Sequence, residues 1–117
     1  MKIGWRILAA LLGLVFLLAG SAKLTAQEEM VEAFTHFGMP IWFMYFIGAA
    51  EVAGAIGLQI PKVSTPAAVG LLLVMVGGLG SHLLFDPPQR AIPALVLGVL
   101  LGLLIWGKQS RLPAASD

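Results

Sequence analysis

Four apolar runs, each close to the length of a membrane span, leave this chain very little polar sequence to fold with. They cover about residues 4–22, 41–60, 67–85 and 92–106. A helix that crosses the hydrocarbon needs roughly 20 residues, so runs of this length predict spanning helices. Charge and punctuation mark their ends. Lys2, Trp5 and Arg6 stand at the start of the first. Pro40 opens the second, and Pro61 and Lys62 close it. Ser64, Thr65 and Pro66 form a helix-start signal for the third, which ends at Asp86, Pro87 and Pro88. The fourth stops before Gly107 and Lys108. With 59% hydrophobic and 11% charged residues in 117, there is no room for a separate soluble domain. The expectation is one all-α membrane domain over 1–117, a bundle of four transmembrane helices whose first partner is the lipid bilayer. Lys2 and Arg6 before an apolar core, with "GSA" ahead of Lys23, also fit a signal peptide. Cleavage there would leave three spans.

Several functions are excluded by what the chain lacks. A net charge of +1 provides no basic patch able to neutralise several phosphates, which argues against a nucleic-acid partner. The absence of cysteine removes dithiol exchange, a thiolate metal site and a structural disulfide from this chain's own repertoire. No metal-ligand set and no confident catalytic group is legible.

Lys and Arg set the orientation of a membrane protein. Four spans put both termini and the loop around Lys62 on one side, with Lys2, Arg6, Lys62, Lys108 and Arg111. The other side has Lys23 and Arg90. Five against two predicts cytoplasmic termini. Between the first two spans, "AQEEMVEAFTHFGMP" carries Met30, Val31, Phe34 and Phe37 at helical spacing, with Glu28, Glu29 and Glu32 on other faces. This predicts a short interfacial helix ended by Gly38 and Pro40. His36 on it reads as an exposed side chain. Trp42, Phe43, Tyr45 and Phe46 then form an interfacial aromatic belt.

One residue contradicts the apolar pattern. In "IGAAEVAGAIGL", residues 47–58, Glu51 is the sole charge. An acidic residue at a span's centre costs about 2.5–3.5 kcal/mol, which makes it a functional-site candidate by default. At 1.5 Å per residue it lies about 15 Å below Ile41, while Lys23 and His82 stand near the same end of their own helices. Helical side chains lean toward the helix N-terminus. Lys23 and His82 therefore lean into the membrane and Glu51 leans up, although span ends alone leave the Lys23 and Glu51 backbones about 13 Å apart in height. Small residues sit one turn from each: Gly20 near Lys23, Gly48 and Gly54 near Glu51, Gly78 near His82. They predict close helix packing or a cavity. Gly98 and Gly102 give the last helix a GxxxG spacing, read as packing or homo-oligomer contact. Glu51 tolerates its depth by being neutral, or by staying ionised beside Lys23 or a protonated His82.

The runs "FLLAGSAKL", "HFGMP", "GAAEVAGAIGLQIP" and "GLGSHL", in that order over about residues 12–106, resemble the DoxX-like family of small four-helix membrane proteins. The resemblance implies a bacterial inner-membrane protein whose recurrent polar positions fall on Lys23, Glu51 and His82. It also implies links to thiosulfate and quinone redox chemistry, to thiol or oxidative-stress complexes and to quinone resistance. Distant eukaryotic relatives act in membrane-protein trafficking or assembly. Three function classes follow. One is a redox-associated subunit that binds a quinone or other small apolar ligand, works with a redox partner protein, and uses Lys23, Glu51 and His82 as ligand-binding or proton-relay groups. A second is a proton-coupled exporter using Glu51. The third is an assembly module in which the polar residues fix only helix register.

Overall fold

The computed structural model describes residues 2–85 and 88–110. Asp86, Pro87 and Arg111, which figure in the sequence reading, lie outside the described residues. The described chain is all helical: α1 (Lys2–Leu24), α2 (Glu28–His36), α3 (Ile41–Leu58), α4 (Ser64–Phe85), a 3-10 turn (Pro88–Ala91) and α5 (Ile92–Ser110). Three helices are long and apolar enough to cross a membrane, at Ile3–Leu24, Ile41–Leu58 and Ser64–Leu84. In α5 the apolar stretch is shorter, Ile92–Gly107.

Local chemistry explains the breaks. α1 ends in a Schellman motif: the Gln27 N–H donates to the Ala22 carbonyl at 3.0 Å and the Ala26 N–H to that of Lys23 at 3.1 Å. Ala26 takes the left-handed position of this motif, with φ 51°, without being glycine. The same motif closes α2, where Met39 N–H reaches Phe34 O at 2.9 Å and Gly38 N–H reaches Thr35 O at 3.0 Å. There the left-handed residue is Gly38, φ 75°, for which that conformation carries no Cβ penalty. Pro40 then precedes α3 and Pro61 sits in the short turn that follows it. α4 begins at Ser64, three residues before the apolar run itself, because Ser64 and Thr65 fill its first turn ahead of Pro66. α3 stops at Leu58, two residues inside its apolar run, with Gln59 as its C-cap.

The four long helices surround one another in the order α1, α3, α4, α5, and α1 meets α5 again along the least extensive of the four seams. One buried cluster joins them: Ala9, Leu12 and Phe16 of α1, Ala55 and Leu58 of α3, Ala68 and Leu71 of α4, Leu101 and Leu104 of α5. All of these lie in the half of the bundle nearest the two termini. The outside is just as apolar. Ile3, Ile7, Leu11, Leu14 and Leu18 form an exposed stripe along α1, and Leu73, Val76, Leu83 and Leu84 are exposed on α4. An outer surface of this kind suits hydrocarbon, whereas water-soluble proteins rarely expose large contiguous apolar patches.

Candidate functional site

Glu51 is on the inward face of α3, in the series Met44, Gly48, Glu51, Ala55, Leu58, which is buried throughout. Its side chain is 2% exposed, and the Lys23 ammonium stands 2.8 Å from its Oε1. A carboxylate in such a place needs a compensating charge, since ionised groups are too costly to bury alone. Lys23 supplies it from the last turn of α1. Among the described residues the Lys23 ammonium is the charged partner of Oε1.

The glycines make this contact reachable. A Cβ on Gly20 would lie 2.7 Å from the Gly48 carbonyl oxygen and 2.7 Å from Val52 Cγ2. One on Gly48 would lie 3.0 Å from the Gly20 carbonyl oxygen and 2.9 Å from Lys23 Cβ. The backbones of α1 and α3 therefore meet where neither has a side chain, a close crossing that only small residues permit. The crossing sets Gly20 level with Gly48 to Val52, so the Lys23 backbone is only about one turn, roughly 5 Å, above that of Glu51. The 13 Å expected from the span ends is too large because α3 begins two turns beyond the end of α1. The first turns of α3 pack instead against α2, through the ring pair Phe34 and Phe43 at 6.4 Å.

The other expected site residues are distributed differently. His82 is not part of the ion pair; its ring meets Phe37 edge-on at 5.3 Å, tying α4 to the segment after α2. Gly54, expected beside Glu51, packs against α4, where a Cβ would lie 2.7 Å from Leu71. Gly78 faces α5 with room to spare, the nearest atom to an added Cβ being Ala94 Cβ at 4.0 Å. Gly98 lies at ordinary contact distance from Leu72 and Met75 of α4, and an added Cβ at Gly102 would meet nothing within 4 Å. The GxxxG pair is thus half used inside this chain.

Sequence reasoning passed over Gln59. Its amide donates to the Ala9 carbonyl at 2.8 Å across the α1/α3 interface and to Ala55 O at 3.3 Å. Gly13 provides the space, since a Cβ there would collide with the Gln59 amide nitrogen. The readable signal was a lone amide near the end of the second apolar run, 41–60. The two helices are therefore pinned at both ends of their contact, by the ion pair and by this amide. Among the described residues no group of three or more His, Asp or Glu could hold a metal ion.

The sequence model described as the DoxX-like family matches residues 7–104. A protein of Bacillus subtilis strain 168, named uncharacterized protein YdgD, is 31% identical over 86 residues, covering 69% of this chain and 75% of that protein. No solved structure matches.

Proposed function

We propose the following reading of this chain, which belongs to the DoxX-like family of membrane proteins: it is a redox-associated membrane subunit that binds a small, mostly apolar ligand of quinone type at the Lys23–Glu51 pair. The observation that carries it is a carboxylate 2% exposed inside a membrane-length helix and faced by an ammonium at 2.8 Å. The pair offers both halves of a hydrogen-bond exchange. A lysine has three N–H donors and can give one to a quinone carbonyl, while a carboxylate can accept from a quinol hydroxyl. A mostly apolar site with a few convergent polar groups is the usual form for such a ligand. This chain has no cysteine, and the electrons such a ligand carries would pass to a partner subunit.

In this reading α5 is a fourth span. Its 19 residues extend about 28 Å, close to the roughly 30 Å of the hydrocarbon. Four spans bring the termini together in the bacterial cytoplasm, on the side of Lys2, Arg6, Lys62, Lys108 and Arg111. Because Lys23 is engaged inside the bundle, only Arg90 counts against that orientation. α2 then lies at the outer interface, with Phe34 buried beneath it and Glu28, Glu29 and Glu32 exposed.

A second reading rests on the same contact. The 2.8 Å approach and the Gly20/Gly48 crossing also suit a clasp that fixes the register of α1 on α3 in an assembly module. Thermal unfolding of detergent-purified wild type, Glu51→Gln and Lys23→Met, with and without decylubiquinone or a menaquinone analogue, separates the two. Stabilisation by quinone in wild type alone, with variants that still fold, is the expected result. No quinone effect on any of these proteins would overturn the ligand reading in favour of the clasp.

A further inference from the structure

The two halves of the bundle are packed differently. Among the described residues, every buried position of α4 lies between Ser64 and Leu71, and every buried position of α5 lies between Leu101 and Gly107. Toward the α2 end, Met75, Leu79 and His82 of α4 and Ala94 and Leu97 of α5 are only half-buried. α1 follows the same trend. Ala9, Phe16 and Lys23 recur every seven residues and so stack on one stripe facing the bundle axis. Phe16 is fully buried, yet Lys23, two turns further on, retains 14% exposure of its side chain.

The least extensive seam is the one between α1 and α5. At the terminal end it is shut, because the Trp5 indole fills the place a Cβ would take on Gly107, and Leu101 and Leu104 pack with Ala9 and Leu12. Counting equal steps along these antiparallel helices from that contact sets Leu97 and Ala94 opposite Val15 to Leu18, with Ala19 and Ala22 beyond them. Ala19 and Ala22 keep the α1 side small there, while Ala94 lies toward Gly78 of α4. The end of the bundle is covered by contrast: Phe34 is buried under α2, and Phe37 spans to His82 of α4.

From this we infer that the ligand enters sideways from the hydrocarbon, between α1 and α5, and is a lipid-dissolved molecule rather than a water-borne solute. The inference rests on the reading of Lys23–Glu51 as a ligand site and specifies its substrate class. An apolar molecule in the outer leaflet meets Leu97 and Ala19 first and the Lys23 ammonium next. A charged or strongly hydrated solute would have to displace the aromatic cover.

The chain's lack of cysteine makes the route directly measurable by site-directed nitroxide labelling. Single Leu97→Cys and Ala94→Cys variants of the full chain would be labelled in phosphatidylethanolamine/phosphatidylglycerol vesicles, with Leu101→Cys as buried and Leu95→Cys as lipid-facing references. Power saturation with oxygen, which partitions into lipid, and with a water-soluble nickel chelate reports the two phases separately. The expected result is oxygen accessibility at 97 and 94 several-fold above that at 101 and above the nickel signal at the same sites. Values equal to those at 101 mean a sealed seam, and a larger nickel signal means an aqueous entrance; either overturns the route. Because this readout involves no ligand, it fails independently of the ligand reading. Addition of decylubiquinone should then lower oxygen access at 97 in the otherwise wild-type chain and not with Glu51→Gln. An open seam without that change overturns the ligand reading while the lipid opening stands.

Discussion

Removing the Lys23 ammonium is the sharpest test of the ion pair. At 2.8 Å and an effective dielectric constant of about 20, two unit charges attract by about 6 kcal/mol. Most of that offsets the cost of desolvating both groups, so the net worth of the intact pair is small. Deleting one partner is a different matter. Lys23→Met keeps most of the aliphatic stem and leaves the Glu51 carboxyl, 2% exposed, facing no cation among the described residues. Breaking a buried pair in this way costs about 3–5 kcal/mol, or roughly two to four powers of ten in the folding equilibrium. The double variant Lys23→Met/Glu51→Gln removes both charges and should be no more than about 2 kcal/mol less stable than wild type, giving a coupling energy above about 1 kcal/mol. Unfolding by dodecyl sulfate titration in mixed micelles, followed by fluorescence of the three tryptophans, reads all four proteins. A loss below about 1 kcal/mol for Lys23→Met, or a double variant that costs the sum of the singles, would refute a buried, coupled pair.

The same titration tests the other contacts. Gly20→Ala should cost about 1–3 kcal/mol, because the new methyl group meets backbone that cannot yield, whereas Gly102→Ala should be neutral or gain up to about 1 kcal/mol from helix propensity. A loss at Gly102 comparable to that at Gly20 would show that a second chain packs there. Ala26→Gly should stabilise by up to about 1 kcal/mol by relieving the left-handed φ of 51°, and destabilisation would refute the Schellman end of α1. Gln59→Leu should cost about 0.5–1.5 kcal/mol through loss of the bond to Ala9 O, and no change would make that amide dispensable. For topology, alkaline phosphatase fused after Ser110 should be inactive in cells and active when inserted between Gln27 and Glu28; activity at the first position would leave three spans in place of four.

Much of the fold was legible because in a membrane the signal is length. Apolar runs bounded by Pro61, by Gly38 with Pro40 and by Ser64 gave helices whose ends match to within a few residues, since proline and left-handed glycine act locally. The helix Glu28–His36 was readable for the same reason, from the spacing of Met30, Val31 and Phe34. The direction in which Lys23 and Glu51 lean was also legible, following from chirality and helix polarity alone. Ala26 was not. Its left-handed φ is imposed by the tertiary need to turn α1 into α2, and nothing in alanine announces it.

Height was the quantity the sequence could not supply, and it determined the site. Span ends are set by local breakers, but the register of one helix on another is set where their backbones can approach most closely, and here that is Gly20 on Gly48. That contact slides α3 two turns past the end of α1, brings Lys23 down to Glu51, and leaves Phe43 and the start of α3 to be covered by α2. His82 then meets the cover at Phe37 and not the carboxylate, although its distance from its own helix end had placed it beside the other two. The glycines were equally visible in the sequence and equally ambiguous, because a helical position says which residues share a face and not which neighbour that face meets. Gly20 and Gly48 draw two helices together, while Gly78, with Ala94 Cβ the nearest atom at 4.0 Å, leaves space on the far side of the same bundle. The tight α1/α3 contact and the loose α4/α5 one arise from the same residue type, and the facing helix decides between them.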